Sequence, residues 1–325
     1  MCKSIPKEKK VIDVIIPSQI TVVVITFAVF FRYICSDRYR INTKSNHILK
    51  KKMYKKEIEF SAVLMNDVLQ AIILIVSGFF SGLFLGMGSG TTGAIIITSL
   101  TVMLGYSIHQ AIGTSLLIDC LIGLIAGILY FRKHNTNLRP TLAIGIFGAI
   151  GSFLGSQFTS QTSELALILL LSTLLILLGI SFLAKGLHTN IEFVRTKMRV
   201  HALKKYTLVF FILFSIIAGF GSGFTGMGIG GVLALVLLLF LEYDLVTAIG
   251  TSLLLLVFVS GAGAVGHILK NEIIYSVVIM VGVSAAVGAV TGSVYAQKIN
   301  EEKLGRLIGC IILIMGLMML VRAYT

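Results

Sequence analysis

The chain alternates between long apolar stretches and short polar segments. Nine stretches come near the length of about 20 residues that an α-helix needs to cross a bilayer. They are Val11–Phe31, Val68–Leu85, Gln110–Phe131, Thr141–Phe158, Leu165–Ala184, Tyr206–Phe224, Val246–Leu269, Ile274–Ala296 and Leu304–Val321. Two shorter stretches, Thr91–Leu104 and Gly231–Leu241, have the length of half a crossing. Because no stretch alternates strictly between apolar and polar positions, a β-barrel is not favoured. The pattern predicts an all-α polytopic membrane protein.

Composition and charge agree with a lipid environment. Hydrophobic residues make up 56% of the 325 positions and charged residues 13%, whereas soluble domains carry about 25% charged residues. The net charge of +13 is concentrated in two polar segments, Arg32–Lys56 and Lys185–Lys205. Basic loops of membrane proteins stay on the cytoplasmic side. We therefore predict a multi-pass protein of the cell membrane that contacts lipid and does not bind nucleic acid.

Residues 1–60 are expected to form a separate N-terminal segment. A basic start and an apolar run resemble a signal peptide, but Phe30-Phe31-Arg32-Tyr33 offers no small-residue cleavage site. An anchor helix followed by a basic cytoplasmic segment is therefore predicted, with a translation start at Met53 or Met65 as the alternative. No functional residue is expected before Ser61.

One segment of the chain is repeated letter for letter. Ala111–Leu117 recurs as Ala248–Leu254, at an offset of 137 residues (248 − 111). The Gly-Met-Gly sequence that begins at Gly86 also recurs, beginning at Gly226, at an offset of 140 (226 − 86). Internal repeats of this kind are typical of secondary transporters. We predict a first transmembrane repeat at 61–186, a basic cytoplasmic linker at 187–205 and a second repeat at 206–325.

The charge of the loops predicts how each repeat crosses the bilayer. The basic segments 32–59 and 132–139 and the central linker can all be cytoplasmic only if Val68–Leu104 makes an odd number of crossings. We expect one crossing broken at the Gly-Met-Gly turn, about four crossings per repeat, and two parallel repeats. If the broken pair is instead two full crossings, each repeat has five spans and the repeats are inverted.

The glycine-rich turns are the first candidate site. Glycines two residues apart disfavour a continuous helix, and unwound backbone within a membrane must be buried in protein or line a cavity. The free N–H groups of the helix that follows each turn would attract an anion. Glycines four residues apart, in contrast, are expected to serve helix packing. The candidate substrate-binding residues of the turns are Gly86, Gly88, Gly90, Thr91, Thr92, Gly226, Gly228, Gly230 and Gly231.

Polar residues inside the apolar stretches are the second candidate site. Thr114 and Ser115 recur as Thr251 and Ser252, and are expected either to line the pore or to bond to backbone. Asp119 is the one acid well inside a span, which suggests proton coupling. A protonated carboxyl held by a carbonyl or hydroxyl is the alternative. His109 and His267 are expected to be interfacial and without function. With four scattered cysteines and no C-x-x-C, neither a metal nor a cofactor is predicted.

These residues resemble those of the sulfite exporter TauE/SafE family of membrane permeases. The similarity rests on the Gly-rich turns, the two A-I-G-T-S-L-L segments, and the Gly-Ser pairs that begin at Gly155 and Gly292, and it covers about residues 65–323. The chain departs from the family pattern at Ile97 and Leu237, where members often carry proline, and in its first turn, which reads Gly-Ser-Gly-Thr-Thr. The resemblance implies transport of small sulfur-containing anions such as sulfite, thiosulfate or sulfonates.

Residues and resemblance together predict a secondary transporter for a small anion. An anion channel, or another membrane-embedded protein that does not transport, is the alternative. An enzyme is not expected, because the sequence contains no H-E-x-x-H motif and no pair of neighbouring carboxylates within a span. The expected partners are a small anionic substrate and the bilayer, and association into a homo-oligomer is left open.

Overall fold

The computed structural model describes residues 68–87, 92–136, 138–197, 207–241, 243–295 and 301–324. Residues 1–72 and 73–325 form two separate compact units, and the architecture below concerns the second. The anchor helix and basic segment expected within 1–60 lie outside the described residues. So do the predicted site residues Gly88, Gly90 and Thr91.

The described residues contain helices and no strand, in agreement with the predicted all-α class. We number the helices α1 (Val68–Gly86), α2 (Thr92–Thr98, continued by a π-helix over Ser99–Met103), α3 (Ile108–Arg132), α4 (Leu138–Thr159), α5 (Glu164–Lys197), α6 (Thr207–Thr225), α7 (Gly230–Phe240), α8 (Leu245–Ile268), α9 (Tyr275–Tyr295) and α10 (Glu301–Ala323). Six of them, α1, α3, α5, α8, α9 and α10, include an apolar stretch long enough to cross a membrane. Shorter apolar stretches lie in α2, α4 and α6.

The antiparallel pair α3 and α8 crosses the described unit. A Cβ added at Gly113, near the start of α3, would lie 2.8 Å from the Cβ of His267, near the end of α8. A Cβ added at Gly127, near the end of α3, would lie 2.8 Å from Leu254 Cδ2, near the start of α8. A residue later in α3 therefore contacts a residue earlier in α8, which is the arrangement of antiparallel helices.

Glycines allow α1 to pack closely on α9, and α6 on α4. A Cβ at Gly82 would collide with the carbonyl oxygen of Ala285, and one at Gly219 with that of Gly148. Helices α1 and α9 are parallel, because the earlier residue Gly78 of α1 contacts the earlier residue Val281 of α9. Helices α6 and α4 are parallel for the same reason, since Gly219 contacts Gly148 and the later Gly223 contacts the later Ser152. The spacing by four thus places backbone against backbone, as expected for small residues in membrane helices.

Helix contacts correct the register of the first helix in each half. Gly86 faces the carbonyl oxygen of Ala289, and Gly223 faces that of Ser152. The two glycines are 137 positions apart (223 − 86), and so are their two contact partners (289 − 152). Gly86 therefore corresponds to Gly223 and not, as the offset of 140 suggested, to Gly226. The Gly-Met-Gly letters recur, but α6 continues past that register to Thr225, while α1 ends at Gly86.

The offset of 137 also relates the ends of the helices. Ser107 is the N-cap of α3 and accepts a hydrogen bond from the backbone N–H three residues on, as Asp244 does for α8. His134, after α3, and Asn271, after α8, are the two non-glycine residues in the described part with positive φ, at 58° and 57°. Both pairs are separated by 137 residues (244 − 107 and 271 − 134).

The direction of α2 contradicts the expected continuous crossing. The chain leaves α1 beside Tyr130, whose hydroxyl donates to the carbonyl of Gly86 (3.2 Å), near the end of α3. Thr92 then lies level with Asp119, at the middle of α3, and Ile97 lies level with Ile112, near its start. The chain therefore turns back after α1, so that α2 runs opposite to α3. A second, half-length pass replaces the single broken crossing that the loop charges indicated.

The expected parallel arrangement is also wrong. Helices at corresponding places in two parallel repeats would run in the same direction, but α3 and α8 are antiparallel. Within the described residues, each half contains five helical segments rather than the four crossings expected. The helix directions match the alternative, an inverted pair, and the basic segment 32–59 that favoured the parallel arrangement lies outside the described residues.

Candidate functional site

Three predicted site residues meet at the middle of α3. A Cβ added at Gly228 would lie 2.6 Å from Asp119 Oδ2 and 3.3 Å from Thr92 Oγ1. Asp119 and Thr92 are both fully buried. The first residue of α2, the turn before α7 and the centre of α3 therefore share one buried polar point, which we call the Asp119 site.

The Thr92 hydroxyl lies near the Asp119 carboxyl, but the polar atoms of the Asp119 site lack a hydrogen bond of standard geometry among the described residues. Among the described residues, none makes a hydrogen bond of acceptable geometry with either carboxylate oxygen of Asp119 or with Thr92 Oγ1. Buried polar atoms almost always have a partner, because leaving one without a partner costs about 1–3 kcal/mol. A proton, a water molecule or a small polar ligand would satisfy these atoms.

The turn before α7 is shaped for this contact. Gly226 has φ +68°, a conformation that side chains other than glycine rarely adopt. Its carbonyl accepts a hydrogen bond from Ser115 Oγ (3.0 Å). A Cβ at Gly93, one residue into α2, would collide with the same carbonyl. Glycine is thus needed on both sides for the start of α2 to pack against the turn and bring Gly228 to Asp119.

The repeated hydroxyl residues have mainly structural contacts. Thr114 Oγ1 accepts a hydrogen bond from the backbone N–H of Ile274 (3.1 Å). Ser115 and Ser252 both donate to the carbonyl three residues earlier (2.8 Å each), and Thr251 is buried on α8. Of these four, the structure shows Ser115 in contact with the turn that carries Gly228.

The remaining predicted glycines that the structure describes lie in helices or at helix ends. Gly86 packs against α9. Gly230 begins α7, and a Cβ there would make ordinary contacts at 3.6 Å with Leu256 and Leu85. Gly231 follows within α7. At the offset of 137, the counterpart of Asp119 is the buried, apolar Leu256, so the carboxyl belongs to the first half alone.

A second polar cluster, which the sequence did not predict, surrounds His267. This residue lies in the last turn of α8 and is fully buried, and its Nδ1 lies 2.7 Å from Glu272 Oε2. Ser160 Oγ lies 3.3 Å from the same carboxylate oxygen. Burial raises the pKa of Glu272, but hydrogen bonds and the charges of His267 and His109 outweigh it and lower the pKa overall. The resulting stabilisation is present above the usual glutamate value of 4.5 and is lost as pH falls below it.

Comparison with known proteins identifies the family. Residues 74–319 match the family described as Sulfite exporter TauE/SafE. The chain is 27% identical over 256 residues to the probable membrane transporter protein YdhB of Bacillus subtilis, covering 77% of this chain and 100% of that relative. It is 24% identical over 275 residues to the probable membrane transporter protein MJ0441 of Methanocaldococcus jannaschii, covering 81% of this chain and 98% of the relative. No solved structure matches the chain. The resemblance of the motifs is confirmed, and the chain belongs to the sulfite exporter TauE/SafE family of membrane transporters.

Proposed function

We propose that the protein is a secondary transporter that moves a small, sulfur-containing anion, such as sulfite, thiosulfate or a sulfonate, across the cell membrane. The observation that carries the proposal is the Asp119 site, where a glycine turn, a hydroxyl and a carboxyl converge with unpartnered polar atoms. The class of anion comes from the family description. Full burial of Asp119 and Thr92 favours an occluded carrier over a channel, in which a continuous pore is open.

Electrostatics then couples the anion to a proton. An ionised Asp119 and an anion about 4 Å apart would repel each other by about 4 kcal/mol at an effective dielectric of about 20. A protonated carboxyl removes this repulsion and offers an O–H donor beside the Thr92 hydroxyl. The anion is therefore bound together with a proton on Asp119, and both are released on the other side.

The two halves are proposed to be inverted repeats. The antiparallel pair α3 and α8, and the contacts that recur at an offset of 137, support a twofold axis in the membrane plane. Such repeats allow one site to open to either face in turn. The described helices fall into two sets of five segments, α1 to α5 and α6 to α10, as two such repeats require.

Charge suggests which face is cytoplasmic. Arg132 is the last residue of α3 and Lys133 follows it, at the end of the α3–α8 pair where Tyr130 lies. Helix α6 is parallel to α4 and so begins at this same end, after the basic linker 187–205. By the positive-inside rule this end is cytoplasmic, and the end with His267 and Glu272 is external.

Counterflow of radiolabelled sulfite and thiosulfate in proteoliposomes, with and without a pH gradient, tests the function. We expect saturable exchange that an imposed gradient accelerates. Uncoupled current that grows linearly with voltage would identify a channel instead. A lack of exchange for both anions, in protein that remains monodisperse, would remove the proposed substrate class.

A further inference from the structure

The His267 cluster closes one end of the α3–α8 pair. The loop after α8 places the carbonyl oxygen of Glu272 2.5 Å from where a Cβ of Gly113 would lie. Next to it, His267 Nε2 lies 3.5 Å from the carbonyl oxygen of Gly223, in the last turn of α6. The hydroxyl of Thr159 on α4 faces the same carbonyl (3.3 Å) but lies closer to those of Phe224 (3.0 Å) and Gly155 (3.1 Å), and the three share its single proton. We call this set the His267 junction, and it ties the loop to three helices.

An equivalent junction closes the opposite end. Tyr130 Oη donates to the carbonyl of Gly86, in the last turn of α1. The carbonyl oxygen of Asn135 lies against Gly250 of α8. Each of these four residues lies 137 positions from a member of the His267 junction; the pairs are Tyr130 and His267, Gly86 and Gly223, Asn135 and Glu272, and Gly250 and Gly113. We call this set the Tyr130 junction.

The two junctions use different chemistry for the same contact. The phenol of Tyr130 has one O–H donor and needs no charge to make its hydrogen bond. The imidazole of His267 faces an acceptor at each nitrogen, the Glu272 carboxylate at 2.7 Å and the Gly223 carbonyl at 3.5 Å. A neutral imidazole has a single N–H, so only the protonated ring can donate to both acceptors.

The other charged groups near His267 make their contacts with other residues. Lys270 donates to the carbonyls of Ser156 (3.4 Å) and Gln157 (3.1 Å) at the end of α4. His109 of α3 bonds the carbonyl of Thr162 (3.0 Å), and its other nitrogen lies 3.7 Å from Glu164 of α5. His109 is therefore the second titratable group whose protonation has to be separated from that of His267 by experiment.

We propose that His267 is a proton-binding latch, closed by an imidazolium that bridges Glu272 to the end of α6, and that Tyr130 is its proton-independent counterpart at the other end. Loss of the proton from His267 releases α6 from the loop and opens the His267 end. The latch acts in the alternating access proposed above and adds a second proton site to the one at Asp119. Its test below uses no substrate, so it fails or succeeds independently of the anion.

Two matched cysteines report on the two ends. Ser115 and Ser252 each lie two residues beyond the glycine that packs on a junction, and both are buried. In purified protein whose native cysteines are replaced, Ser115→Cys and Ser252→Cys are labelled with a small charged methanethiosulfonate between about pH 5 and pH 8, where histidine changes charge. Each rate is divided by the rate for the same variant unfolded at the same pH, which removes the pH dependence of the thiol.

The expected result is asymmetric. Loss of a hydrogen bond to a charged group corresponds to about tenfold or more in an equilibrium, so the normalised labelling of Ser115→Cys should rise about tenfold from low to high pH. Ser252→Cys should show no such rise. His267→Gln should make Ser115→Cys labelling fast at both pH values, and His109→Gln should leave the pH dependence unchanged.

Three results would overturn the latch. The first is labelling of Ser115→Cys that is independent of pH in otherwise unaltered protein, which needs no further variant to fold. The second is a pH dependence that persists in His267→Gln and disappears in His109→Gln, which would assign the proton to His109. An equal rise at Ser252→Cys would show general loosening of the protein and would also contradict the proposal.

Discussion

At the scale of single residues, Asp119 is the group on which proton coupling depends. Asp119→Asn keeps the size of the side chain but cannot gain or lose a proton. We expect uptake driven by a pH gradient to fall at least about tenfold, because the anion no longer needs a proton to avoid an ionised carboxylate. Gradient-driven flux in proteoliposomes measures this.

Asp244→Asn is the matched control. Asp244 is exposed and caps α8 by accepting from the Thr247 N–H (3.0 Å), and asparagine caps helices equally well. This variant should retain full coupling. If Asp119→Asn responds to the gradient as the unaltered protein does, the carboxyl has no coupling role.

Two glycines of one turn should respond differently to alanine. A Cβ at Gly228 would lie 2.6 Å from Asp119 Oδ2, whereas a Cβ at Gly230 would make ordinary contacts at 3.6 Å. We expect Gly228→Ala to reduce counterflow at least about tenfold, since the methyl group occupies the point where the polar atoms converge. Gly230→Ala should transport normally, and equal loss in both variants would argue against a site at Gly228.

The sequence indicated the Asp119 site better than the His267 junction, for a physical reason. An acid in an apolar stretch is costly wherever it lies in the membrane, so Asp119 is conspicuous without any structure. The role of His267 depends on a carboxylate five residues later and on a carbonyl of α6, 44 positions earlier. Aligning Tyr130 with His267 at the offset of 137 is the signal that could have drawn attention to it.

At the scale of helices, close backbone contact explains the glycines spaced by four. A Cβ at Gly82 of α1 would collide with the Ala285 carbonyl of α9, whereas one at Gly221 of α6 would have no atom of the described residues within 4 Å. We expect Gly82→Ala to destabilise the fold by about 1–3 kcal/mol through overpacking. Gly221→Ala should be neutral or stabilise it by up to about 1 kcal/mol. Thermal unfolding in detergent compares the two, and a lower Tm for Gly221→Ala would contradict this account.

Helix positions could be predicted from the sequence, but helix directions could not. The apolar stretches mark α1 to α10 because each must bury its backbone in lipid or protein. Whether α2 continues α1 or turns back depends on contacts such as that of Thr92 with Gly228, between segments that are distant in the sequence. The charge of the loops was the one feature of the sequence that indicated helix direction, and the basic segment 32–59 led us to expect parallel repeats.

At the scale of the whole molecule, the inverted arrangement makes a prediction about sidedness. His134 and Asn271 are exposed, have nearly the same positive φ, and are related by the offset of 137. A cysteine at either position meets the same backbone strain, so the two variants are matched. In inverted repeats they lie on opposite faces of the membrane; in parallel repeats they lie on the same face.

Labelling of intact cells with a membrane-impermeant maleimide, before and after permeabilisation, distinguishes the two arrangements. In a cysteine-free background, we expect Asn271→Cys to react in intact cells and His134→Cys to react only after permeabilisation, because Arg132 and Lys133 hold their end of α3 in the cytoplasm. The reverse pattern would keep the inverted repeats but exchange the faces, and would place the His267 junction inside. Reaction of both variants from the same side would contradict the antiparallel α3 and α8, and with it the alternating opening of the two junctions.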